Sequence, residues 1–208
     1  LKSKFDCEGE SSTQVFVNPN PVVGFKVPKP LQCLKGNAFT PVHTAGVSKG
    51  TVTGFNWDFG DMTSSLQEFP APKTYTKSGD YKVLLTAYTD SGCSDTFSSI
   101  VRVRASANIT IDPVAETCLN DTTTLNGSAV LSDGFIRKYQ WDYGDTKITD
   151  TVSFAQTRHL YPKVGTYNVT LTTISNYGCV DSKTANAWVT VNPLPNAAFS
   201  YNIKDGGN

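Results

Sequence analysis

Two pairs of aspartates are the first groups in this 208-residue chain that could do chemistry: Asp58 with Asp61, and Asp142 with Asp145. Carboxyls so close in sequence can divide the acid and base roles of a hydrolase between them, or give oxygens to a Ca²⁺ site. Catalysis is poorly supported by their surroundings. No nucleophile or base accompanies either pair, and the same pair recurs at a strand end in two copies of one segment. An aspartate placed there accepts backbone N–H groups in an Asx-turn, and Asp61 and Asp145 are expected to do so. The two histidines, His43 and His159, fall at unmatched positions of the two copies. Structural zinc needs four ligands, so both are read as surface or packing residues, and no metal site is assigned to them.

Five cysteines complete the set of reactive groups: Cys7, Cys33, Cys93, Cys118 and Cys179. No Cys-x-x-Cys occurs, which disfavours metal and thioredoxin-like readings. Disulfides formed in an oxidising compartment are the expected use, and they place the protein outside the cell or on its surface.

Composition narrows the partners. Charged residues make up 17% of the chain, with 18 basic against 18 acidic side chains. That balance leaves no electrostatic footprint for nucleic acid or for an anionic membrane. No apolar run approaches the roughly 18 residues of a membrane span. Leu1-Lys2-Ser3-Lys4-Phe5-Asp6 lacks the apolar stretch of a signal peptide.

The elements that position these residues are repeated. Gly54-Phe55-Asn56-Trp57-Asp58-Phe59-Gly60-Asp61 returns as Lys138-Tyr139-Gln140-Trp141-Asp142-Tyr143-Gly144-Asp145, 84 positions later. Tyr75 to Val83 returns as Tyr161 to Val169, and Ser91-Gly92-Cys93-Ser94-Asp95 as Tyr177-Gly178-Cys179-Val180-Asp181, both 86 positions later. Tyr81 to Ala87 and Tyr167 to Thr173 have apolar residues at alternate positions, the period of a half-buried strand. Turn residues recur every 8 to 12 residues or so, as in a β-sandwich. The expected fold is all-β, in tandem immunoglobulin-like modules. Residues 1–18 read as the closing strands of one copy, 19–105 and 106–193 as two full modules, and 194–208 as the opening of another. Asn18-Pro19-Asn20-Pro21 and Asn192-Pro193-Leu194-Pro195 form short, stiff joints, since proline fixes φ.

Trp57 and Trp141 alternate with Phe59 and Tyr143, so one strand face carries two large rings in each module. A sandwich core is their expected place.

The order of these elements, Trp-Asp-[Phe/Tyr]-Gly-Asp, then Tyr, then Gly-x-Tyr-x-Val-x-Leu, resembles the PKD domain, a β-sandwich named for the polycystic kidney disease protein. The extra cysteine before the second strand and the late Gly-Cys resemble PKD repeats in surface adhesins and secreted proteins of gliding bacteria. One departure is that members often read Gly-Asp-Gly, whereas Met62 and Thr146 follow Asp61 and Asp145 here. A turn of different type is therefore expected, because glycine tolerates positive φ more readily.

The resemblance also bears on calcium and on the cysteines. Asp133-Gly134 precedes Trp141 as an Asp-Gly turn does in Ca²⁺-binding PKD modules of collagenases, and Asn176 could add an oxygen. Ser48 and Asp90 are the only counterparts in the first module. Ca²⁺ takes 6–8 oxygens, so the implied cofactor list is empty, with Asp133 and Asn176 as the calcium candidates. For the cysteines, similar spacings suggest bridges within modules, Cys33 with Cys93 and Cys118 with Cys179. Strand direction in an immunoglobulin-like sandwich argues against them, because the two sulfurs of a module would lie at opposite poles about 20 Å apart. A disulfide needs Cα atoms within about 7 Å. Cys33 with Cys179 is the favoured pair, the other two pairings staying open. Cys7, Cys93 and Cys118 then find partners outside this stretch or stay reduced.

Two functions fit. The first is a non-catalytic structural and adhesive stalk that projects a binding or attachment region from a cell surface. Its partners would be neighbouring repeats and a cell-surface or substratum glycan or protein. The second is an accessory carbohydrate- or protein-binding module of a secreted enzyme, for which Tyr88, Tyr177 and Trp188 are the candidate exposed aromatics.

Overall fold

The computed structural model describes Lys4, residues 10–148 and residues 152–200; Cys7 lies outside the described residues. Every regular element among the described residues is a strand, and the chain is all-β. Contacts divide it into two units. One holds residues up to Gln32 together with Asn37–Val103, the other Cys33–Gly36 together with residues from Arg104 onward.

The first unit is built from β1 (Phe25–Lys26), β2 (Leu31–Cys33), β3 (Val42–His43), β4 (Val52–Asp58), β5 (Ser64–Ser65), β6 (Gly79–Thr89) and β7 (Ser94–Arg104), except that Cys33 and Arg104, the last residues of β2 and β7, belong to the second. One sheet has the order β2-β7-β6-β4-β5, and β1 pairs with β3 in a second. Alternation decides which face is buried: Val83, Leu85, Ala87 and Thr89 point inward from β6, where Leu85 lies opposite Trp57 of β4. Trp57 has no exposed surface and meets Phe25 of β1 edge-on at 5.2 Å. This ring pair joins the two sheets, the geometry aromatic quadrupoles favour.

The second unit adds β8 (Asn108–Ile111), β9 (Thr117–Cys118), β10 (Thr122–Leu125), β11 (Gly127–Val130), β12 (Ile136–Asp142), β13 (Thr157–Leu160), β14 (Gly165–Ser175) and β15 (Val180–Asn192). The main sheet runs β12-β14-β15-β9, with pairs β8–β11 and β10–β13 beside it. Its core gathers Ile109, Leu125, Trp141, Val169, Leu171 and Val189 from both layers. The equivalent strands β6 and β7 pair in unbroken register, but β14 and β15 slip between Tyr167 and Val169. At the slip Ala187 has φ 49°, and its N–H donates to Asn168 Oδ1 at 2.7 Å. Extra residues in one strand are absorbed this way as a β-bulge.

Candidate functional site

The turn after each core tryptophan is where the conspicuous carboxylates converge. In the first unit, Asp58 Oδ1 accepts the Gly60 N–H at 2.8 Å, and Asp61 Oδ1 accepts the Thr63 N–H at 3.2 Å and the Thr63 hydroxyl at 2.5 Å. Lys73 Nζ lies 2.6 Å from Asp61 Oδ2 and donates to Thr63 Oγ1 at 2.7 Å. The same ammonium sits 5.4 Å from the Phe59 ring centre and 5.2 Å from that of Tyr75, within cation–π range. Burial alone would raise the Asp61 carboxyl, but hydrogen bonds from Lys73 and Thr63 and the Lys73 charge outweigh it and hold it below its ordinary value. Tyr75, whose hydroxyl donates to the Phe59 carbonyl at 2.8 Å, is pushed well above the usual phenol range by burial and then by the Asp61 charge.

The second unit builds the same turn with a different cation. Asp142 Oδ1 accepts Gly144 N–H at 2.9 Å, and Asp145 Oδ1 accepts Lys147 N–H at 3.1 Å. His159, 86 positions after Lys73, takes the place of the lysine: its Nε2 is 2.7 Å from Asp145 Oδ2. Its ring stacks flat on Tyr143 at 3.8 Å and meets Tyr161 edge-on at 4.7 Å. Burial and the Asp145 charge raise the Tyr161 hydroxyl in turn.

Gly60 and Gly144 have φ of 76° and 78°. A Cβ at Gly60 would stand 2.7 Å from the Lys82 carbonyl oxygen, and one at Gly144 would collide with the Asn168 carbonyl oxygen. The expectation of a different turn type is corrected. Met62 and Thr146 adopt φ of 67° and 76°, the left-handed conformation a glycine would take. The aspartate hydrogen bonds on either side hold the backbone there, so a side chain is carried at a strain of about 1–2 kcal/mol.

The calcium candidates are engaged by donors. Asp133 accepts the Ala105 N–H at 2.9 Å and lies 3.3 Å from Arg104 Nη1, while Asn176 Oδ1 accepts the Phe135 N–H at 3.0 Å. In the first unit Asp90 accepts the Thr51 N–H at 3.0 Å and hydroxyl at 3.1 Å, which lower its carboxyl. Among the described residues no three His, Cys, Asp or Glu side chains cluster as a metal site would require.

His43 has surroundings of its own, between Phe55 at 4.6 Å and Phe69 at 5.0 Å, with Glu68 Oε1 3.2 Å from Nε2. Of the candidate aromatics, Tyr88 lies over Gly54 and Tyr177 under the Arg104 guanidinium at 4.8 Å. Trp188 donates Nε1–H to the Asp112 carbonyl at 2.9 Å.

Within the second unit a disulfide joins Cys33 to Cys179, with Cα atoms 5.5 Å apart. Beside it the Leu34 N–H donates to the Arg104 carbonyl at 2.8 Å. Cys179 is buried in a turn where its carbonyl accepts Ser175 N–H at 2.9 Å and its N–H donates to Ser175 Oγ at 3.1 Å. Cys93 and Cys118 are free thiols, so neither alternative pairing, Cys33 with Cys93 or Cys118 with Cys179, is present.

What sequence reasoning missed is that Lys73 and His159 perform one task. The signal was there: each stands two residues before the buried tyrosine, in Lys73-Thr74-Tyr75 and His159-Leu160-Tyr161.

Two immunoglobulin-like sandwich units, each with a tryptophan-centred core and an aspartate-locked turn, define the chain as tandem β-sandwich modules. A family model of the PKD domain matches residues 37–105 and again 104–191, more than half of the chain, and the chain belongs to that family. Pre-pro-metalloprotease PrtV of Vibrio cholerae is 27% identical over 151 residues, covering 73% of this chain and 16% of that protein. The chain thus corresponds to about one sixth of that relative. Among solved structures, the PKD1 domain of Vibrio anguillarum Epp is 26% identical, covering 43% of this chain and 100% of that one, with a TM-score of 0.38. The PKD1 domain of V. cholerae PrtV is 30% identical, covering 42% and 98%, with a TM-score of 0.34. No helix among the described residues is long and apolar enough to cross a membrane.

Proposed function

We propose that this stretch is a non-catalytic extracellular stalk whose PKD repeats hold a binding or attachment region away from a cell surface. One observation carries the reading. At matched positions of both repeats, the groups that could do chemistry are bound to their own turn: Asp61 by Thr63 and Lys73, Asp145 by Lys147 and His159. The disulfide supports an oxidising, extracellular setting.

The likeness to a metalloprotease favours a second reading, an accessory module that helps a linked enzyme bind a glycan or protein. Against it, Tyr88, Tyr177 and Trp188 do not recur at matched positions, so no shared aromatic platform is built. Replacing residues 19–193 in the full-length protein with two unrelated sandwich modules separates the readings. A stalk retains surface display and attachment after the exchange. Loss of glycan or protein binding, with display preserved, would overturn the stalk and support the accessory module.

A further inference from the structure

The chain holds two cysteine positions per repeat, and among the described residues Cys33–Cys179 is the one disulfide. Cys33 and Cys118, 85 positions apart, form the first class. Each is held by the same backbone contact: Leu34 N–H donates to the Arg104 carbonyl at 2.8 Å, and Leu119 N–H donates to the Asn192 carbonyl at 2.8 Å. Cys93 and Cys179, 86 positions apart, form the second class, and their turns are copies of each other. Thr89 N–H donates to the Cys93 carbonyl at 2.9 Å and Cys93 N–H to Thr89 Oγ1 at 3.1 Å. Ser175 makes the same two bonds with Cys179, at 2.9 and 3.1 Å. The bonded pair, Cys33–Cys179, takes one member from each class.

The free pair, Cys93 and Cys118, also takes one from each, and both are half-buried rather than sealed in a core. The Cys93 thiol is directed at the Asn18 carbonyl, 3.8 Å away. Asn18 stands 86 positions before Arg104, whose carbonyl receives the segment that carries Cys33. Cys93 therefore faces the counterpart of the docking group that serves the bonded pair. We propose that Cys93 and Cys118 belong to a disulfide series, and that the partner each accepts is the opposite-class cysteine of another copy of this repeat. A first-class cysteine bonds only a second-class cysteine. The inference rests on the repeat series of the stalk reading, but needs no adhesive end and no ligand.

The bond forms by thiol–disulfide exchange with a disulfide oxidant such as oxidised glutathione. The Cys118 thiolate attacks one glutathione sulfur and the other glutathione leaves as a thiol. The Cys93 thiolate of the second molecule then attacks the Cys118 sulfur, expelling the second glutathione. Two protein thiols become one disulfide, and one oxidised glutathione becomes two reduced ones.

The 208-residue chain tests this, with Cys7→Ser in every sample to silence that thiol. In a glutathione redox buffer at high protein concentration, the chain should form linked species that collapse on reduction. Non-reducing peptide mapping should find Cys93 joined to Cys118, and Cys33 still joined to Cys179. Adding Cys93→Ser or Cys118→Ser should each leave monomers, while mixing these two variants should restore dimers and nothing larger. Self-linked dimers of either single variant would overturn the class rule. Monomers in the mixture, with both thiols still titratable after oxidation, would overturn the proposal as a whole. Neither outcome bears on the exchange experiment that tests the stalk.

Discussion

His159 and Asp145 meet at 2.7 Å with almost no solvent access, their side chains 8% and 3% exposed, whereas the equivalent Lys73 and Asp61 meet at 2.6 Å with 16% and 23% exposed. One position of the repeat thus carries two chemistries. A lysine keeps its ammonium near water over two ring faces, while a flat imidazole lies against Tyr143 and closes the turn off. The difference has an energetic consequence. His159→Leu removes the Asp145 partner and leaves a buried acceptor unmet, costing about 1–3 kcal/mol. Lys73→Met breaks a more solvated pair and should cost about 1 kcal/mol or less. Denaturant titration of each variant, read in its own unit, gives the order. Equal losses would refute the argument from burial.

Acid should act on the first unit through Asp61. Its folded carboxyl titrates below the ordinary value, so protons bind the unfolded chain more readily than the native one. The contribution is complete above the unfolded value of about 3.9 and is lost as pH falls through the folded one. Asp61→Asn should therefore flatten the decline in stability below about pH 4, and high salt should do part of the same because the pair is partly exposed. An unchanged acid profile in that variant would show that Lys73 and Thr63 do not stabilise the charged form.

Substitutions in the turn have opposite signs a residue or two apart. Met62 sits at φ 67°, so Met62→Gly relieves left-handed strain and should raise stability by about 0.5 kcal/mol after glycine's unfolded-state entropy is counted. Gly60→Ala adds a Cβ 2.7 Å from the Lys82 carbonyl at a left-handed φ, and should cost about 2 kcal/mol or more. Thermal melts of the two variants should move in opposite directions.

The repeat period and the strand alternation were legible because Trp57 and Trp141, and the glycine–tyrosine strands β6 and β14, keep their residue types between copies. Position could be read wherever type was kept. Lys73 and His159 differ in type, so their shared role stayed hidden until the carboxylate geometry appeared. The turn at Met62 was misjudged for a related reason. Sequence shows the loss of a glycine but not the pair of aspartates whose hydrogen bonds impose the glycine-like backbone anyway. The β15 bulge at Ala187 had no local signal, since Ala187-Trp188 reads as ordinary strand; only the pairing with Tyr167 and Val169 exposes the extra residues.

Core truncation gives a prediction for both units. Trp57 and Trp141 are fully buried, and each indole N–H is satisfied by a backbone carbonyl, Gln67 at 3.1 Å and Ala155 at 3.0 Å. Trp57→Ala and Trp141→Ala should each cost about 3–5 kcal/mol. Calorimetry should show the loss in the unit that carries the substitution, and wild-type melting of either variant would rule out the core placement.

The disulfide supplies the last prediction. Cys33 and Cys179 are 146 positions apart, and the second unit contains both. A cross-link between distant positions limits the unfolded chain more than the folded one, and native bridges of this kind contribute about 2–5 kcal/mol. Reduction, or Cys33→Ser with Cys179→Ser, should therefore lower the melting temperature of the second unit. The segment Cys33–Gly36 should exchange its amides faster, because it loses the covalent tie beside the Leu34–Arg104 hydrogen bond. The buried turn at Cys179 keeps its Ser175 bonds without the sulfur link, so the fold itself should survive. Calorimetry with and without reductant, paired with hydrogen exchange at Leu34, reads both effects. An unchanged melt with unchanged exchange at Leu34 would mean that the segment is held by its backbone contacts and that the bridge adds nothing.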